Sequence, residues 1–89
     1  MPWFHVYILR SQKDNTFYIG YTSDLKNRIQ EHNSGKTKSI AAKIPFSLVY
    51  CETYRNKTIA IKRETQLKKN RSEKMKIIIR IFPDEGFKL

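Results

Sequence analysis

The stretch from Phe17 to His32 leaves the chain few choices. Its first half, Phe17-Tyr18-Ile19-Gly20-Tyr21, alternates aromatic and β-branched residues around a glycine. That pattern reads as a short strand with a point where the backbone bends or is closely approached. Thr22-Ser23-Asp24 comes next, and Ser23 or Thr22 can cap a helix whose first turn gains from the Asp24 charge. The helix is predicted to reach Asn33, before Ser34-Gly35 stops it. Leu25, Arg28, Ile29 and His32 fall at i, i+3, i+4 and i+7, so they share one helical face. Turning Leu25 and Ile29 toward a core carries Arg28 and His32 round with them. A guanidinium and an imidazole aimed inward beside a tyrosine-bearing strand read as a site.

Eighty-nine residues suffice for one core and not two, so residues 1–83 are predicted to form a single domain, with 84–89 a short tail. An apolar content of 39% with 12% aromatics supports a globular fold and argues against disorder. No apolar run is long enough to span a bilayer, and Met1-Pro2-Trp3-Phe4-His5 lacks the basic and apolar regions of a secretory signal. A single cysteine, Cys51, excludes an internal disulfide framework and makes a reducing cytoplasm the expected compartment. It lies in the apolar run Leu48-Val49-Tyr50-Cys51 and is read as core rather than nucleophile. Two histidines and one cysteine do not furnish a structural zinc site.

Net charge is the most informative part of the composition. It amounts to +10, and between Arg55 and Arg80 ten Lys and Arg face only Glu64 and Glu73. So dense a charge on so small a domain favours a polyanionic partner, nucleic acid before an anionic membrane or an acidic protein. No protein partner is inferable, and the expected state is a monomer or weak oligomer.

Phe4 to Arg10 is a second strand signal, and Ser11 to Thr16 is rich in turn formers, so the two strands are read as a hairpin. A turn centred near Lys13-Asp14 sets Tyr7 opposite Gly20 and puts Tyr18 on the same face as Tyr7. Gly35 to Pro45 reads as a basic loop with a short helical turn, and Phe46 to Tyr54 as a third strand. Asn56 can cap a second helix, reaching Lys69 or Asn70, on which Ala60, Glu64 and Leu67 share a face. Ser72 is predicted to cap a third helix with Met75, Ile78, Ile79 and Phe82 as its buried stripe, ended by Pro83. The order β-β-α-β-α-α implies an α+β fold: a small, mostly antiparallel three-stranded sheet flanked by helices.

Taken singly, each candidate residue has a bland explanation. Glu64 can pair with Lys68 one turn on, Arg28 can be a surface charge, His32 a hydrogen-bonded semi-buried histidine, and Tyr7 and Tyr18 strand aromatics. Convergence of all five at one end of the sheet is what favours chemistry. An inward carboxylate among cations suits a divalent ion, since Mg²⁺ keeps most of its waters and is held by one or two carboxylates plus substrate phosphate.

His5-Val6-Tyr7, then Tyr18-Ile19-Gly20, then Arg28 and His32, resembles the core of the GIY-YIG nuclease domain. Val6-Tyr7-Ile8-Leu9, Leu48-Val49-Tyr50 and the segment Ala60 to Lys69 extend the likeness nearly to Phe82, closest to the small stand-alone bacterial members. The resemblance implies that Tyr7 and Tyr18 are the motif tyrosines, Gly20 the motif glycine, Arg28 the helix arginine, His32 the residue one turn later, and Glu64 the metal-binding acid. Two features depart from the family: His5 stands where its first motif begins with glycine, and its downstream asparagine has no clear equivalent, Asn70 being nearer than expected. The resemblance further implies a divalent-metal-dependent endonuclease that hydrolyses DNA phosphodiester bonds, with branched or damaged DNA as candidate substrates. Glu64 would hold one Mg²⁺ or Mn²⁺, Arg28 would bind the scissile phosphate, and Tyr7 or Tyr18 would orient or deprotonate water. His32 would relay the proton or act as a hydrogen-bonding partner. A phenol is a poor base near neutrality unless a nearby cation lowers its pKa. Lys62, Lys68, Lys69 and Arg71 would contact flanking phosphates. The alternative is a non-catalytic or weakly catalytic nucleic-acid-binding module on the same fold.

Overall fold

In a computed structural model that describes residues 2–89, three strands form one antiparallel sheet in the order β2-β1-β3. They are β1 (Phe4–Ser11), β2 (Phe17–Thr22) and β3 (Phe46–Tyr54); the helices are α1 (Leu25–Asn33), α2 (Lys57–Lys69) and α3 (Arg71–Ile81), with 3₁₀ turns at Lys38–Lys43 and Pro83–Glu85. The fold is α+β in the expected element order.

β1 is central, and its residues Val6 to Leu9 are all buried because both faces of the sheet are covered. Val6 and Ile8 point to one side and pack with Ile19, Ala60, Leu67 and Ile77 beneath α2 and α3. Tyr7 and Leu9 point to the other and pack with Ile40 and Phe46, joined by Tyr18, Leu25 and Ile29. The hairpin register pairs Tyr7 with Gly20 and Leu9 with Tyr18, as the turn position required. Ser11 fastens that turn: its hydroxyl donates to the Lys43 carbonyl (2.6 Å) and accepts from the Lys13 and Asp14 amides.

Three local expectations need correction. The N-cap of α1 is Asp24, whose carboxylate accepts from the Asn27 amide, rather than Ser23 or Thr22. Thr22 instead accepts from the Asp24 amide (3.1 Å), which turns the chain so that Asp24 arrives at the cap position. Asn70, not Ser72, caps α3; with extended backbone at φ −108° and ψ 100° it ends α2 and starts α3 in a single residue. The buried stripe of α3 is Met75, Ile77 and Ile78, while Ile79 and Phe82 stay half-buried. The helix is turned so that Ile77 and Ile81, one turn apart, join the cluster under α2.

Cys51 is also not in the core as its apolar run suggested: it is exposed, as is Leu48. β3 is an edge strand, and the helices leave part of its outer face uncovered.

Residues 84–89 prove to be fastened down. Arg10 makes two hydrogen bonds to the Glu85 carboxylate (both 2.6 Å), and its guanidinium lies over the rings of Phe82 and Phe17. Phe87 completes this clasp edge-on to Phe17, 5.8 Å between centroids.

Candidate active site

Gly20 is where the site begins. A Cβ at this position would overlap the Tyr7 hydroxyl and lie 2.6 Å from its Cζ. Only a residue without a side chain lets the Tyr7 ring lie across β2. The ring is thereby delivered to α1, where its hydroxyl and His32 Nε2 are 2.9 Å apart. His32 is fully buried, and its Nδ1 lies 3.0 Å from Thr37 Oγ1 in the loop after α1. With the ring neutral, one nitrogen donates and the other accepts, so both contacts are satisfied by either tautomer. Burial and the Arg28 charge push the His32 pKa below its ordinary value, which keeps it neutral near pH 7. Tyr18 packs edge-on to the same imidazole with centroids 5.0 Å apart.

Arg28 stands on the same helical face one turn earlier. Its Nη1 is 3.5 Å from Glu31 Oε2, a loose pair with the arginine side chain 40% exposed. Burial dominates the ionisation of Tyr7, which is only 1% exposed, and pushes its hydroxyl up to about 12. Arg28 acts against that shift, while Tyr18 and the negative charge of Glu64 add to it. The cation that a phenol would need in order to act as a base is present, but burial outweighs it.

Glu64 lies on the inner side of α2 between Ala60 and Leu67, its side chain only 15% exposed. Its Oε2 pairs with Lys68 Nζ at 3.3 Å, the one-turn pair expected from the spacing. With so little of the side chain exposed, the carboxylate is not out in bulk water. Tyr7, Tyr18, Arg28 and His32 therefore form one contact network, with Glu64 coupled to it electrostatically. Of the basic residues, Lys68 stands beside Glu64. Lys62 and Lys69 come two positions after Ala60 and Leu67, which sets them on the opposite side of α2. Arg71 is exposed and donates to the Lys88 carbonyl (3.2 Å).

A cleft of about 380 Å³ opens next to this network, lined by Phe4, Thr22, Asn27, Arg28, Glu31 and Lys57 among others. Arg28 is its link to Tyr7. Thr37 and Glu31 were not singled out by sequence: the first sits in an aperiodic loop, and the second is one of many polar residues on an amphipathic helix.

The GIY-YIG catalytic domain matches residues 3–78. The chain belongs to the GIY-YIG family. It is similar to a UPF0213 protein of Staphylococcus haemolyticus, 41% identical over 76 residues that cover 83% of this chain and 92% of that protein. It is likewise similar to the UPF0213 protein of Syntrophus aciditrophicus, 42% identical over 77 residues, 83% of this chain and 87% of that one. The solution NMR structure of a UPF0213 protein from Bacillus halodurans superposes with a TM-score of 0.56 at 32% identity, covering 93% of this chain and 90% of that one. Membership in the GIY-YIG family implies a function of the endonuclease type, a nucleic-acid substrate and the use of a divalent metal. Among the described residues no helix is long and apolar enough to cross a membrane.

The GIY-YIG donor set fits such an ion in one form only. No three His, Cys, Asp or Glu side chains cluster among the described residues, which rules out a cage built wholly of side chains there. Glu64 Oε1 makes no hydrogen bond among those residues, and a single free carboxylate oxygen suits a hydrated ion completed by substrate phosphate.

Proposed function

We propose that this protein is a divalent-metal-dependent endonuclease acting on DNA, working in the cytoplasm on branched or damaged forms. The observation that carries the reading is the incomplete pairing of the site. Arg28 lies by the Tyr7 hydroxyl and makes only one long ion pair, Glu64 pairs with one exposed lysine, and the Tyr18 hydroxyl makes no hydrogen bond among the described residues. These are the groups a substrate would complete.

Glu64 would hold one Mg²⁺ or Mn²⁺, which when bound supplies charge neutralisation at the phosphate and at the leaving oxygen. Arg28 binds the scissile phosphate and the charge that grows on it, from a position fixed by the packing of Leu25 and Ile29. Tyr18, half-buried at the edge of the network, orients the water. Tyr7 need not exist as a free phenolate: its hydroxyl can pass its proton to His32 Nε2 as it accepts one from water. Thr37 then anchors the far side of the imidazole. Lys68 flanks the phosphate, while Lys62, Lys69 and Arg71 contact DNA only where it runs past α2.

One observation favours the second reading, a binding module with little turnover. Asn70, the nearest stand-in for the family's downstream asparagine, spends its Oδ1 accepting from the Glu73 amide (3.2 Å).

The test is cleavage of single-stranded, duplex and branched DNA by purified protein in Mg²⁺ and Mn²⁺. Activity should vanish in EDTA and fall about 10²–10³-fold in Arg28→Ala, the cost of losing one donor to a developing oxyanion. Glu64→Gln should abolish it while binding persists. No cleavage of any topology in either metal would leave the binding module standing.

A further inference from the structure

Trp3 and Arg55 face each other at the open end of the sheet, one residue beyond the Phe4 and Tyr54 pair on each strand. Trp3 is 47% exposed, a large share for the residue with the most apolar surface to hide. The Arg55 guanidinium lies over its ring, 4.9 Å from the centroid, and forms no ion pair among the described residues. Two residues along each strand, on the same face, His5 Nδ1 and Thr53 Oγ1 are 2.9 Å apart, and two residues further comes the pair of Tyr7 with Cys51. Phe4, the His5 partner Thr22, and Lys57 all line the cleft that holds Arg28. A flat aromatic surface with a fixed cation thus lies beside the cleft in which the scissile phosphate would sit.

Duplex phosphates need only charge, which this protein carries in excess. A tryptophan face backed by a guanidinium suits something else: the π-face of a nucleobase, with the cation also attracting the adjoining phosphate. In an intact duplex those faces are covered by neighbouring base pairs, and exposing one costs unstacking. We propose that the Trp3–Arg55 pair is a stacking subsite for an unpaired nucleotide adjoining the cleaved bond. The favoured substrate then carries a single-stranded stretch at that point, an inference that rests on the nuclease reading and narrows it.

Trp3 is the sole tryptophan, so its emission reports the subsite directly. The full chain is titrated in EDTA with a single-stranded oligonucleotide and with a blunt duplex of equal length, and fluorescence anisotropy of the labelled DNA measures binding in parallel. The single strand should quench Trp3 and the duplex should not. Trp3→Ala should weaken single-strand affinity about five-fold or more and leave duplex affinity within about two-fold, with Trp3→Phe retaining most of the difference. Unchanged emission on saturation, equal quenching by duplex, equal losses for both DNAs, or no binding of the single strand would each overturn the subsite. Cleavage is not read in this experiment. Quenching by a protein that never cuts would remove hydrolysis and keep the subsite, whereas cutting without quenching would do the reverse.

Discussion

Two sets of the same residue types, each with two tyrosines, an arginine and a carboxylate, could hardly be connected more differently. Beneath α2, Glu52 accepts from the Tyr50 and Tyr54 hydroxyls and from Arg63 through both Nε (2.8 Å) and Nη2 (2.9 Å). Arg63 spends its remaining reach on Gln66 and, more distantly, Glu73. Every strong donor and acceptor in that set is used. In the candidate site, Tyr7 is bound to His32, but Arg28, Tyr18 and, from α2, Glu64 keep unspent capacity. The same residue types make a rivet in one set and a receptive site in the other. What separates them is mutual saturation: a closed network stabilises, while an open one waits for charge from outside.

Exchanging the acids tests that contrast most severely. Glu52→Ala should cost about 3–5 kcal/mol in urea denaturation, because Arg63 and two phenols lose their common partner inside the fold. Glu64→Ala, which removes one pair with an exposed lysine, should cost under about 1 kcal/mol while abolishing cleavage. Equal destabilisation by the two variants would erase the distinction.

Acid titration sharpens it further. Burial by itself would raise the Glu52 carboxyl, but hydrogen bonds from Arg63, Tyr50 and Tyr54 outweigh burial and hold it at about 2. A folded pKa below the unfolded one means stability that is fully present above the ordinary 4.5 and is lost as pH falls toward 2. The loss should approach about 3 kcal/mol over that window by chemical denaturation. Glu52→Gln, which cannot titrate, should flatten the profile there. His32 adds to acid sensitivity from nearer neutrality, since a buried neutral imidazole must take up a proton on unfolding.

A last substitution probes the open side. Gly20→Ala forces a methyl group against the Tyr7 hydroxyl and should cost about 1–3 kcal/mol in thermal or urea unfolding. It should also lower cleavage, because the ring can yield only by leaving His32. Unaltered stability would show that Tyr7 is not pinned over β2.

Features set by local periodicity were readable in the sequence. The turn-rich segment fixed the pairing of Tyr7 with Gly20, and the three-four spacing on α1 brought Arg28 and His32 to the tyrosines. Caps were harder, since Thr22, Ser23 and Asp24 all carry a suitable oxygen and only the backbone path decides which one caps. Asn70 was missed because one residue serves two helices. The Tyr50-Glu52-Tyr54 alternation puts a carboxylate between two phenols on one strand face, but that signal was missed. Its partner Arg63 lay eleven residues on from Glu52, hidden in a helix crowded with cations. Thr37 had no periodic signal at all; its role exists only once the loop has folded back onto α1.

The aromatic clasp around Arg10 has a kinetic consequence. Arg10 and Glu85 are 75 residues apart in sequence, so the strand that carries Tyr7 cannot make its last contacts until residues 82–87 have been synthesised. Closing so long a loop is entropically slow. A nascent chain paused after α2 would hold the first hairpin with its guanidinium unclaimed and the ring of Phe17 still without Phe82 and Phe87.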